Sequence, residues 1–157
     1  MKSRTQTAGT EVDVSGPAVR GLSRKDLGAF VRRCLARLDA AGAVRKPVDE
    51  VSIAFVDDSA MRKLNRAYRG KDKTTDVLTF EGIDIDSADV GDHSLGEIVI
   101  SLPQARRQAR DERHSLTTEV RYLLLHGLIH ALGYDHETDD GEMNALETRI
   151  RAKVGLE

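Results

Sequence analysis

The sequence predicts one α+β domain, a small mixed sheet of about four strands covered by about five helices. Three observations point there. Apolar residues recur at spacings of three and four over Leu27 to Leu38, Val120 to Leu132 and Met143 to Ile150, the period of core-facing helices. Between these stretches stand short runs rich in Val, Ile, Leu and Phe that read as strands. No internal repeat or linker divides the 157 residues, a length at which a single core is the rule.

Taken in order, residues 1–10 read as a flexible tail and 11–157 as the single domain, with Val12 and Val14 alternating as in a short first strand. Ser23, with Asp26 three residues on, predicts an N-cap for a helix that runs to Gly42. Val48 to Val56 predicts a strand. Asp58 or Ser59 then caps a helix through Met61, Leu64 and Tyr68, which Gly70 ends. Val77, Leu78 and Phe80 form a further strand, residues 82–94 a mobile loop rich in Asp, Ser and Gly, and Gly96 to Ser101 another strand. Pro103 suits the first turn of a helix reaching Glu112. The most apolar helix opens between Ser115 and Glu119 and stops at Gly133, and a last one spans Asp139 to Lys153.

Composition narrows the function classes. A hydrophobic fraction of 39% against 32% charged residues fits a soluble globular protein rather than a disordered one, and no run approaches the length of a membrane span. The polar start, MKSRTQTAGT, is unlike a secretory signal, so a cytoplasmic location and no membrane partner are expected. The single cysteine, Cys34, sits among Val31, Leu35 and Leu38 and reads as a buried apolar residue. The formal charge of −2 argues against general nucleic-acid binding, DNA included, but the charge is uneven. Arg62 to Lys73 holds six basic residues and one acid, a balance of +5, and Arg106, Arg107, Arg110 and Arg113 form a second basic cluster. Asp135 to Glu142 is acidic. Each run alone is equally well read as a solvated face.

Three of the five histidines fall within eleven residues. His126 and His130 are four apart on the apolar helix, so both side chains lie on one face and can reach one ion. Gly133 permits the left-handed turn that brings His136 back towards them. Imidazole ligands suit zinc, copper, nickel or iron, with zinc the default on availability, and three protein ligands leave a position for water, as catalytic sites do. The spacing H-x-x-x-H-x-x-G-x-x-H is that of the zincin-type metzincin peptidases, but the general-base glutamate of that motif is here Gly127.

HGLIHALGYDH, from His126 to His136, resembles the signature of the YbeY family of bacterial endoribonucleases, implicated in ribosomal RNA maturation. LNRAYRGKDKTTDVLTF (Leu64 to Phe80) and LGEIVIS (Leu95 to Ser101) resemble its other shared segments. Thr74 and Glu81 stand where that pattern has proline, Thr79 where it has serine and Glu97 where it has aspartate. The resemblance implies that His126, His130 and His136 bind one Zn2+, and that Arg69 is the essential arginine acting beside His126. Its substrate would be single-stranded RNA in 16S rRNA processing on the small ribosomal subunit, with ribosome-associated proteins as further partners. Lys71 and Lys73 would then contact phosphates, which place a strand without reading its bases. Two other readings stay open: a metal-stabilised, ribosome-associated RNA-binding module, and a zinc peptidase.

Overall fold

The computed structural model describes residues 9–69, 77–81, 94–135 and 138–156. Over these the chain forms four strands and five helices: β1 (Glu11–Ser15), α1 (Arg24–Ala40), β2 (Glu50–Val56), α2 (Asp58–Arg69), β3 (Val77–Glu81), β4 (Ser94–Ser101), α3 (Leu102–Glu112), α4 (Leu116–Ala131) and α5 (Glu142–Lys153). The expected α+β class and both element counts stand. The loop expected at 82–94 lies outside the described residues except for Ser94, which opens β4. Thr10, in the stretch expected as tail, is buried, and its hydroxyl donates to the Val48 carbonyl at 2.5 Å.

The strand order is β1-β2-β4-β3. β1, β2 and β4 are parallel, while β3 pairs antiparallel with β4 and forms one edge of the sheet. Glu81 and Glu97, two of the departures from the family pattern, both keep their ladder positions, opposite Gly96 and Phe80. Because side chains alternate along a strand, the central strands feed two cores. Val51, Ile53 and Phe55 of β2 and Ile98 and Ile100 of β4 join the larger one, with α1, α4 and α5. Leu78 and Val99 face the other way and bury Met61 of α2, with Ala54, Val56, Leu64 and Phe80 packed around them.

The helix starts follow the capping signals, with one shift. Ser23 and Asp26 form the full capping box of α1, Ser101 caps α3 and Ser115 caps α4. α2 begins one residue earlier than expected, because Asp57 accepts the Ala60 N–H at 2.8 Å and serves as the cap. α5 begins at Glu142 rather than Asp139. The Asp139 carboxylate instead accepts from the Gly141 and Met143 N–H groups, both at 2.9 Å, which satisfies donors at the start of α5 from outside it.

α4 is apolar almost all round, as a helix enclosed by other elements must be. Val120, Leu124, Leu125, Leu128 and Ile129 are each 0% exposed, a burial that contributes roughly 1.5–3 kcal/mol per side chain. Gly127 lies against the sheet: a Cβ there would stand 2.9 Å from Cγ2 of Ile98. Ile98 is 1% exposed and branched at Cβ, so it has nowhere to move. Gly127→Ala should therefore destabilise the fold by about 1–3 kcal/mol, read as a lower urea midpoint at unchanged slope. Cys34 is fully buried as expected, and burial pushes its thiol up to about 12. At pH 8 it should resist a thiol-modifying reagent in the native protein and react only on unfolding, which a colorimetric thiol assay with and without denaturant would show.

Candidate metal centre

Between Glu119 and His130 the only residues of α4 that are not buried are Arg121, Tyr122, His126 and His130. Tyr122, His126 and His130 are spaced by four and so form one stripe along an otherwise enclosed helix. Gly133, with φ of 105°, makes the left-handed exit the sequence predicts. His136 itself lies outside the described residues. So do Lys71, Lys73 and the side chain of Arg69, whose backbone closes α2.

His126 opens onto a cleft of about 440 Å³. Val77 of β3, Glu112 of α3, His114, and Glu119 and Tyr122 of α4 contribute to its wall, as do Glu147 and Arg151 of α5. His130 is not among the lining residues, so of the expected ligands described here the cleft holds His126 alone. Two imidazole–carboxylate pairs face it. His126 Nδ1 lies 2.7 Å from Glu147 Oε1, and His114 Nε2 lies 2.6 Å from Glu119 Oε1. Both glutamates are buried, at 7% and 4% exposure, which an unpaired carboxylate would not tolerate.

The other oxygen of Glu147 accepts from the Arg151 guanidinium. Burial pushes the Glu147 carboxyl up, but the His126 hydrogen bond and charge, followed by those of Arg151, outweigh it and hold the group below the usual carboxylate range. An ionised carboxylate can only accept, so Nδ1 of His126 carries the proton and Nε2 is the nitrogen suited to an ion. Arg151 lies over the Tyr122 ring at 4.9 Å, His114 stacks on the same ring at 5.5 Å, and the Tyr122 hydroxyl donates to the Leu156 carbonyl at 2.6 Å. The chain's last turn is thereby tied to the pair that orients His126.

Nε2 of His126 is the kind of donor that a nitrogen-preferring divalent ion takes. His126 has one nitrogen anchored by a carboxylate, the arrangement that orients metal-bound histidines. No described residue hydrogen-bonds the half-buried His130 ring one turn away. No group of three potential ligands occurs among the described residues, and the third candidate, His136, is not one of them. The acidic stretch is used differently from a ligand set: Asp139 satisfies α5, and Glu142 accepts the Asp140 N–H at 2.7 Å. In the second basic cluster, Arg107 pairs with Asp58 at 2.7 Å across α3 and α2.

Glu147 is the functional residue that sequence reasoning missed. It lies 21 positions from His126 on another helix. Its one sequence signal is a glutamate next to Leu146 on the apolar side of a helix, where a charge is costly without a partner.

A mixed four-stranded sheet with a buried helix that shows His126 to a polar cleft defines an α+β domain with a histidine-centred site. Comparison with known proteins places it more closely. The family model described as endoribonuclease YbeY matches residues 18–155, and the chain belongs to that family. The endoribonuclease YbeY of Geobacillus thermodenitrificans is 48% identical over 116 residues, covering 68% of this chain and 74% of its own. That of Solibacter usitatus is 43% identical over 135 residues, covering 86% and 82%. That of Myxococcus xanthus is 38% identical over 157 residues and covers 99% of this chain, which spans 51% of that relative's length. A solution structure from Thermotoga maritima matches 91% of this chain and 88% of its own with a TM-score of 0.57 at 25% identity.

The tautomer gives a direct check. In nitrogen-15 NMR at pH 8, His126 should show the proton on Nδ1, and Glu147→Ala should return it to the Nε2 form that free imidazole prefers. A proton on Nε2 in the unsubstituted protein would contradict the orientation described here.

Proposed function

We propose that this chain is a metal-dependent endoribonuclease that cuts single-stranded RNA in 16S ribosomal RNA processing and ribosome maturation. One zinc ion would be held by His126, His130 and His136. The observation that carries the reading is the α4 stripe: two imidazoles one turn apart on a buried helix, the first with its Nδ1 anchored by a buried carboxylate. Membership of a family named for endoribonuclease activity supplies the substrate class.

Bound there, the ion would polarise a phosphoryl oxygen and lower the pKa of water towards neutrality. The chain's own groups do the rest. Glu147, clamped by Arg151, keeps the His126 ring from rotating. Arg69 offers a planar pair of N–H donors to the phosphoryl oxygens as charge builds on them, a geometry lysine cannot match. Lys71 and Lys73 contact neighbouring phosphates and set the strand's position. The reading places the protein in the cytoplasm, on the small ribosomal subunit. It disfavours the peptidase, since a glutamate at position 127 would be driven into Ile98.

Elemental analysis should return one zinc per chain. Chelation and His130→Ala should each abolish cleavage of a single-stranded RNA, with a matched duplex left uncut throughout. Arg69→Ala should keep its metal and lose roughly 10²–10³-fold in rate, the usual loss for one charge-stabilising donor. Full metal occupancy with no cleavage would instead support the binding module.

A further inference from the structure

Tyr68 is the one large hydrophobic side chain among the described residues that stands well out of the core, at 69% exposure. A single exposed apolar residue is ordinary by itself. The surroundings of this one are specific. Its ring meets Phe80 edge-on, with centroids 4.9 Å apart and planes at 69°, and Phe80 is packed on the core of Met61, Leu78 and Val99. The ring is therefore propped from one side while most of its surface stays in solvent, and a fixed aromatic face loses little freedom when a flat partner covers it.

The helix that carries it is basic over its last three turns. From Ser59 to Arg69, α2 contains no acid, and Arg62, Lys63 and Arg66 are exposed. Asp58, at the far end, is engaged by Arg107 and by the Ser101 hydroxyl at 2.7 Å each. An exposed aromatic on a basic helix is the pairing that proteins use for unpaired nucleic acid, with phosphates held by the cations and a base held by the ring. β3 links this surface to the candidate centre. Phe80, on one face of the strand, supports Tyr68, while Val77, on the other, lines the His126 cleft. β3 is also an edge strand, so a chain crossing that edge passes from one to the other.

We propose that Tyr68, braced by Phe80, is a stacking platform for one unpaired base of the RNA substrate, next to the strand's cleavage position. The inference rests on the endoribonuclease reading and adds a subsite to it. It accounts for single-strand preference physically, because a base inside a duplex has no free face to offer.

The protein has no tryptophan, so Tyr68→Trp places a unique emitter at the platform. With the full chain, a short single-stranded RNA carrying 2′-O-methyl groups should quench the introduced indole saturably, and the same sequence in a duplex should not. On cleavable RNA, Tyr68→Ala should raise KM roughly 5- to 150-fold, with a smaller effect on kcat, and Tyr68→Phe should restore it. Unquenched indole emission, or an unchanged KM in Tyr68→Ala while wild-type protein still cuts RNA, would overturn the platform and leave the endoribonuclease reading intact. Equal quenching by duplex or by polyphosphate would reduce the surface to charge attraction and overturn it too. If wild-type protein neither binds nor cuts the RNA, the endoribonuclease reading itself falls, and the platform with it.

Discussion

The close approach of α4 to β4 at Gly127 and Ile98 is the constraint on which the arrangement depends. A side chain at position 127 would push the helix away from the sheet, and with it the leucines on either side that fill the larger core. Because the helix is held this tightly and is covered almost all round, very few of its positions can carry polar groups. Between Glu119 and His130 those left over are Arg121 and the Tyr122–His126–His130 stripe. The histidines are thus set by a rigid, buried element, which suits a task where a displacement of about 1 Å matters.

A second level of order comes from the carboxylates. Two glutamates sit inside the protein beside a cleft, and each is paired with an imidazole. Glu147 serves His126 and Arg151 together, and Arg151 in turn covers the ring of Tyr122. Removing any one member would leave another desolvated and unpaired, a cost usually larger than the gain from the original bond. The network therefore makes the orientation of His126 a property of α4, α5 and the chain's last turn jointly.

Much of this was legible in the sequence, and the limits were physical. The helices over Leu27 to Leu38 and Val120 to Leu132 declare themselves because their periodicity comes from burial on fixed faces, and Ser23, Ser101 and Ser115 mark starts that local hydrogen bonds determine. Asp57 replaced Asp58 as a cap because adjacent acids compete for the same N–H, and nothing local decides between them. The acids of 135–142 stand beside the histidines in sequence, but Asp139 and Glu142 are spent on the turn into α5. The carboxylate that matters, Glu147, reaches His126 only through the packing of α5 on α4, a tertiary fact that spacing cannot encode. Tyr68 falls at helical spacing with Met61 and Leu64 in the sequence, yet its ring stays exposed, with Phe80 of the edge strand against it.

Gly127 also bears on the chemistry. In the peptidase motif with this histidine spacing, the residue after the first histidine is the proton acceptor; here that position holds the helix against the sheet and has no room for a carboxylate. The two buried carboxylates of the cleft, Glu119 and Glu147, are each bound to a histidine, and Glu147 also to an arginine. Recruiting either as a base would break a pair that is buried for a structural reason. Under the proposed reading, activation of the attacking group would fall to an ion held by the histidines.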